Sequence, residues 1–435
     1  MSKRLMLLLC AVLALALATP AFAAVQNVKV SGDILARYIM RDNFDFKKGT
    51  GTTNEDQIDV FNTVTRFRVD ADLTDNVQTT IRLINERNWD VDDATSSDID
   101  LDLAYVTLKE FLYSPLSLTI GRQELHFGND MIIGDGVGPT NRLTNTLEAT
   151  AYANGNQDLA YRKAFDAIRA TLNYDPLLID VVLAKVDENS ITGGSSNDDV
   201  NLWGINAGYK FSDKWATLAE GYFWHKNDAN GDKKDTVNVI GARVSTNPTQ
   251  KLNLQQEIAL QTGKIRSLNN KERGAWASQT MAYFTPGWKK DPTFGLIYSY
   301  FSGDSNTANT DKDKTYRQWD AMYENQTAGH IINNYFTQGN SNNLDVMLKL
   351  SLLEDVTLRG DYVFVTMDKA LAAAAGDYQA SKRMLGHEID MTLTYDYTED
   401  VQLGLLAGWF KPGEAFVKDA RHTASELIAS CKVSF

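Results

Sequence analysis

The sequence predicts an all-β fold: a transmembrane antiparallel β-barrel of about eighteen strands, with both termini at the periplasmic end. Three observations predict it. Apolar and polar side chains alternate with period two in segments of roughly ten residues from residue 27 to residue 435. The links between these segments alternate between long and short. The chain also opens on an export signal.

Lys3 and Arg4 precede an unbroken apolar run from Leu5 to Ala18, Pro20 breaks it, and Ala21-Phe22-Ala23 forms a small-residue cleavage site. The run is shorter than the roughly 20 residues a spanning helix needs. It also continues well past Cys10, which argues against lipidation there. Residues 1–23 therefore read as a cleaved signal peptide and 24–435 as one mature unit. Removing Lys3 and Arg4 from 43 basic residues leaves 41 against 56 acidic ones, a net charge of −15. That excludes a basic nucleic-acid footprint. Cys431 is the one mature cysteine, so no intramolecular disulfide can form, and no Cys/His spacing suggests a metal. No cofactor is expected. A chain of this length would suggest two or three soluble domains. However, no linker or composition shift divides it.

The candidate strands are 27–40, 59–73, 77–90, 99–110, 116–127, 163–174, 177–187, 198–211, 214–226, 235–246, 250–262, 271–285, 292–301, 342–354, 356–368, 385–397, 399–411 and 423–435. In 385–397, Ile389, Met391, Leu393, Tyr395 and Tyr397 share one face, while Asp390, Thr392, Thr394 and Asp396 share the other. In 399–411, Val401, Leu403, Leu405, Ala407 and Trp409 alternate with Gln402, Gly404, Leu406, Gly408 and Phe410. In 423–435, Leu427, Ala429, Cys431, Val433 and Phe435 share a face. A soluble sandwich alternates in the same way. The links separate the two readings. Thr74-Asp75-Asn76, Asp175-Pro176, Ser212-Asp213, Asn247-Pro248-Thr249 and Glu399 are short, whereas 41–58, 128–162, 302–341 and 369–384 are long. Short periplasmic turns and long outer loops belong to membrane barrels. Aromatics near strand ends, including Trp89, Trp203, Trp215, Trp224, Trp288, Trp409, Tyr174, Tyr209 and Tyr397, suit a lipid–water boundary.

The last strand ends in Phe435, and a terminal aromatic there resembles the assembly signal of outer-membrane barrels. Leu118-Thr119-Ile120-Gly121-Arg122-Gln123-Glu124-Leu125, followed by Phe127-Gly128-Asn129 and Ile132-Ile133-Gly134-Asp135, resembles the Gly-Arg-Gln segment of the alginate-export family of outer-membrane porins. Arg66-Phe67-Arg68-Val69-Asp70-Ala71-Asp72-Leu73 and Leu172-Asn173-Tyr174-Asp175-Pro176 are similar to segments of that family too. The resemblance is clearest over residues 27–190. It implies an eighteen-stranded monomeric barrel that carries solutes through the bacterial outer membrane. Its partners would be membrane lipid, the barrel-assembly machinery at Phe435, and a polar or anionic solute, with an anionic polysaccharide such as alginate among the candidates.

Strand parity places Arg66, Arg68, Asp70, Asp72, Arg82, Glu86, Arg37 and Arg169 in the lumen. It does the same for Arg243, Lys349, Arg359, Lys432, Asp33, Asp180, Glu257, Asp345, Asp361, Asp390 and Glu426. Parity breaks near Gly121, where Ile120 and Arg122 share a face. A bulge there would turn Arg122 inward as well. Unpaired, these arginines would form a basic stripe able to hold an anion. Paired with the inward acids, they would simply stiffen the wall. The 128–162 segment, with Gly134, Gly136, Gly138, Arg142 and Arg162, is the candidate gate, folded either into the lumen or over the mouth. Asp228, Asn230, Asp232 and Asp235 have the spacing of a calcium loop but lack its distal glutamate, so a solvated turn is the better reading.

A general porin or a structural barrel is the alternative reading, and an outer-membrane hydrolase a remote one. None of His126, His225, His330, His387 and His422 lies in a nucleophile motif, and an enzyme is not expected. The topology is testable in a Cys431→Ser background. Cysteine at Lys47 or Asn306 should react with an impermeant thiol reagent on intact cells, and cysteine at Asp75 or Asp213 should not. Labelling at all four sites, or only at the second pair, would overturn the orientation.

Overall fold

The computed structural model describes residues 27–47, 57–89, 99–134, 159, 164–188, 199–230, 233–268, 270–305, 314–326, 328–335, 339–374 and 376–435. The signal-peptide segment 1–23, most of the candidate gate (135–158 and 160–162), Asp232 and Asn306 lie outside the described residues.

The strands are β1 (Asn27–Asp42), β2 (Gln57–Thr74), β3 (Val77–Asn88), β4 (Asp100–Leu108), β5 (Leu116–Gln123), β6 (Phe165–Asn173), β7 (Leu177–Glu188), β8 (Asp199–Lys210), β9 (Leu218–Asn230), β10 (Lys233–Thr249), β11 (Leu252–Ile265), β12 (Lys271–Phe284), β13 (Thr293–Phe301), β14 (Thr315–Tyr316), β15 (Ser341–Ser351), β16 (Val356–Met367), β17 (Met384–Asp396), β18 (Val401–Pro412) and β19 (Ala424–Ser434). Apart from β14, each strand pairs antiparallel with its neighbours in sequence, β13 pairs with β15, and β19 returns to β1. The result is a closed antiparallel barrel of eighteen strands. Each of the eighteen expected segments contains one of these strands. β14 is an extra two-residue strand, parallel to β12 at its loop end.

Closure depends on the seam. β1 and β19 pair from Asp33↔Ser434 to Asp42↔Ser425. Gly32 then extends the seam with a reciprocal backbone pair to Phe435, at 2.9 and 3.0 Å. A Cβ on Gly32 would lie 2.7 Å from the Phe435 ring and 2.5 Å from the Arg66 carbonyl oxygen. Glycine is what lets the terminal ring lie over the seam.

Several boundaries differ from the sequence expectation: β9 begins at Leu218 and β10 runs through Thr249, the expected Asn247-Pro248-Thr249 turn included. β9 runs on to Asn230 and β10 begins at Lys233, so strand pairing extends into the expected link 227–234. Asp235 is committed there. It accepts the Arg266 N–H at 2.6 Å, the Ser267 N–H at 3.0 Å and the Ser267 hydroxyl, which caps the neighbouring β11–β12 link. β5 stops at Gln123, and the chain turns inward from there.

The outward face is apolar. Ile81, Leu183, Ile205, Ile240, Leu260, Leu296, Ile389, Met391 and Leu405 are exposed on it. Trp89, Trp203, Trp215, Trp288 and Trp409, with Tyr174, Tyr209 and Tyr397, are exposed near the strand ends. Trp224 is the correction. It shares the inward parity of Tyr222 and Lys226, is fully buried, and packs on Phe127 with ring centroids 4.8 Å apart.

Parity predicts opposite outcomes at adjacent positions. Leu393 and Leu348 are exposed outward, so arginine at either should cost roughly 2–4 kcal/mol near the bilayer midplane. Thr392 lies on the opposite face from Leu393, and Thr392→Arg should be tolerated. Urea unfolding in lipid vesicles reads the difference, and equal tolerance would refute the assignment.

Candidate functional site

The interior of an eighteen-strand barrel is too wide for wall side chains to fill. The described loops enter it. After β5, residues 124–134 fold inward and carry Leu125, Phe127, Met131, Ile132 and Ile133, all buried. From the β13–β15 link, Trp319, Met322 and Tyr323 join the same cluster, which packs on inward residues of β6–β13 such as Phe165, Val182, Leu202, Trp224, Val239 and Phe301. A second cluster gathers Phe44, Phe46, Ile331, Ile332, Tyr335 and Phe416 against Val363, Val365, Leu385 and Phe410. The 128–134 part of the candidate gate thus folds inward, whereas Trp319, Met322, Phe44, Phe46, Ile331 and Ile332 lie on links whose spacing shows no helix or strand period.

The two inward segments clasp each other. The Gly134 N–H donates to the Tyr323 carbonyl at 2.8 Å, the Tyr323 N–H to Ile132 at 3.1 Å, and the Asn325 N–H to Asp130 at 2.9 Å. Wall side chains then fasten them. The Gln261 amide donates to the Asp320 carbonyl at 2.7 Å and accepts the Asp320 N–H at 2.9 Å. Lys226 and Arg273 reach the Asp320 carboxylate at 3.0 and 3.4 Å. Farther round the wall, Glu388 accepts the Ile331 N–H at 2.6 Å and the Ile332 N–H at 2.7 Å, and Asp390 accepts the His330 N–H at 3.2 Å. These carboxylates satisfy backbone donors that a buried loop would otherwise strand.

The expected pore-lining residues divide as follows. Arg66, Arg68, Asp70, Asp72, Arg82, Arg37 and Arg169 share the inward parity, and so does Glu86, which is exposed. The arginines hold partners. Arg66 grips Asp33, its direct neighbour on β1, with contacts of 2.7–3.1 Å. Arg68 is bidentate on Asp70 at 2.8 and 2.9 Å. Arg82 binds Asp102 and also Glu124, the latter at 2.5 Å. Arg169 binds Asp180 at 2.7 Å, and Arg37 binds Asn62 and the Leu159 carbonyl. Asp72 accepts the Gln78 amide at 2.7 Å.

Arg122 corrects the sequence reading. The β4–β5 register is continuous through Ala104↔Arg122, Tyr105↔Gly121 and Val106↔Ile120, so no bulge turns it inward. It keeps the outward parity of Ile120 and meets Asp166 at 3.3 Å on the outer side of the wall. Gly121 has φ +125°, and a Cβ on it would sit 2.2 Å from the Ala104 carbonyl oxygen. The glycine therefore marks a close strand approach. The irregularity lies in β4 instead, where the register shifts between Arg82 and Leu83 and Asp102 is turned towards Arg82. Asp102, Glu124, Lys226, Arg273, Asp320 and Glu388 were not singled out from sequence. Lys226, Arg273 and Glu388 could have been found by extending the period-two count along their strands, whereas Asp102 depends on the β4 register shift and Glu124 and Asp320 lie in aperiodic links.

Asp320 yields a pH prediction. Burial pushes its carboxyl up, but Lys226, Arg273 and the Met322 N–H outweigh this and hold it at about 2, against an ordinary 3.8. A carboxylate depressed by folding stabilises the docked loop above pH ~4, and loses that contribution as pH falls towards 2. Conductance of single reconstituted channels should therefore hold steady down to pH ~4 and rise below it, and Asp320→Asn should rise at neutral pH. A flat response in both would remove Asp320 as a latch.

Comparison with known proteins places this geometry. The profile of a family described as "Alginate export" matches residues 27–430. Among solved structures, a double variant of OccD1 (OprD) superposes with TM-score 0.61 at 9% identity, covering 94% of this chain and 96% of that one. The outer-membrane protein OpdK of Pseudomonas aeruginosa gives 0.56 at 12%, covering 94% and 100%. OccAB1 of Acinetobacter baumannii gives 0.58 at 9%, covering 96% and 98%. At these identities the likeness shows the fold alone. No curated protein matches the sequence.

Proposed function

The chain belongs to the alginate export family, and from that premise we propose that it is a passive outer-membrane channel for small polar solutes without a strong preference for anions. The pairing of the inward arginines carries this reading: Arg66 with Asp33, Arg68 with Asp70, Arg82 with Asp102 and Glu124, and Arg169 with Asp180. A paired guanidinium and carboxylate leave a dipole, whose field fades faster than that of a lone charge. Anion-selective pores instead present rings of basic side chains to the solute. Residues 1–23 act in this reading as the cleaved export signal and 24–435 as the mature barrel, with Phe435 addressed by the assembly machinery. An anionic polysaccharide is the second reading, favoured by the family's description. It requires the arginines to exchange their carboxylate partners for the polymer.

Planar-bilayer recordings separate the two. The wild-type pore should pass potassium at least as readily as chloride at 0.1 M salt, where the Debye length is ~10 Å. Replacing Arg66, Arg68 and Arg82 together with Gln should make it more cation-selective, because Asp33, Asp70, Asp102 and Glu124 would lose their counter-charges. A chloride preference at 0.1 M that fades at 1 M, and that the triple variant abolishes, would sink the unselective reading in favour of the anionic one.

A further inference from the structure

A cavity of about 210 Å³ lies between the wall formed by β12, β13 and β15 and the two inward segments. Gln279, Met281, Ile297, Gln326, Ala328 and Asp345 line it. Most of its polar groups are spent on one another. The Gln279 and Gln326 side-chain amides bond reciprocally at 2.9 and 3.0 Å, Gln279 also donates to the Ser299 hydroxyl at 2.9 Å, and Gln326 donates to the Asn129 carbonyl at 2.8 Å. Asp345 is different. It is the one carboxylate in the lining, it is 91% buried, and its Oδ1 has no hydrogen-bond partner.

The neighbouring charges answer it only in part: Arg359 attracts it through space, while Asp361 and Asp390 repel it. On β16, directly beside β15, Arg359 is bidentate on Asp361 at 2.7–3.0 Å. On β17, Asp390 adds a further carboxylate, already accepting the His330 N–H. This arc of the lumen therefore carries more acid than base, and a carboxylate withdrawn from water without a counter-charge of its own is costly. Beside it, Met281, Ile297 and Ala328 present apolar surface. A pocket of this size admits a chain of a few carbons ending in one charged group.

We infer that this cavity is a binding subsite for a small organic cation, a primary ammonium or guanidinium on a short aliphatic stem, with Asp345 receiving the charged head. The subsite names a solute class for the proposed channel and rests on that reading only for its role in transport; binding itself does not require conduction.

Isothermal titration of the detergent-purified full chain with butylammonium, butyrate and 1-butanol tests it. Butylammonium should bind saturably at one site, and butyrate should not bind. Asp345→Asn, which keeps the shape and removes the charge, should weaken binding at least about tenfold. Ala328→Leu, which keeps the charge and fills the space, should weaken it as well. Heat-modifiable gel migration establishes that each variant is folded. Absent butylammonium binding, binding unchanged in a folded Asp345→Asn protein, or equal affinity for butyrate would overturn the inference. A protein that conducts but does not bind butylammonium loses the subsite alone. One that binds but does not conduct loses the channel reading alone.

Discussion

Hydrocarbon offers no hydrogen-bond partner to a backbone N–H or C=O, and the rest of this molecule follows from that deficiency. An open sheet would leave two strands with unmet groups in lipid, so β1 must find β19 across almost the whole length of the chain. Eighteen strands closed in this way enclose more space than the wall side chains occupy. The loops enter that space, and they bury some of their own backbone polar groups there. Much of the lumen's polar chemistry answers this demand. Glu388 and Asp390 accept N–H groups of the 328–335 segment, and Gln261 brackets the backbone of Asp320.

The same demand changes how the charges should be understood. A count of inward arginines suggests a filter. The partners of those arginines suggest a scaffold in which charges stiffen the wall or anchor loops. Arg66 spans from β2 to β1, Arg82 ties β3 to β4 and to the start of the inward segment, and Lys226 and Arg273 hold Asp320. What a solute meets is then governed less by net charge than by the groups left over once the scaffold is satisfied. Asp345 is such a group.

How much of this was legible in the sequence depended on periodicity. The strands were, because each face of a barrel strand meets one medium along its whole length, and Ile389, Met391 and Leu393 separate cleanly from Asp390 and Thr392. Family resemblance was legible too, through the Gly121-Arg122-Gln123 segment, although its chemistry was misread. Parity alone placed Arg122 outward, which is where its register with Ala104 puts it. Two kinds of information were missing. Phe44, Phe46, Ile331 and Ile332 are core residues on aperiodic loops, so nothing in their spacing announces burial. Ion-pair partners such as Asp102 depend on a bulge, which sequence does not locate. Trp224 failed for a related reason. A tryptophan near a strand end suits both a membrane interface and an inward core, and the loop carrying Phe127 decides between them.

The wall is not of even height. β4, β5 and β6 have 9, 8 and 9 residues, whereas β2 and β10 have 18 and 17. At about 3.3 Å per residue and a tilt near 40°, β5 rises roughly 20 Å, less than the ~25 Å apolar band typical of such barrels. The Arg122–Asp166 pair stands on the outer surface where this low stretch ends. Lipid beside the ends of β5 and β6 therefore meets a charged pair, whereas β10 runs on for longer and presents Ile240 to the same side. Hydrophobic mismatch is thus built into one sector of the circumference. The bilayer must thin there or the barrel must lean, which gives the barrel a preferred tilt in the membrane.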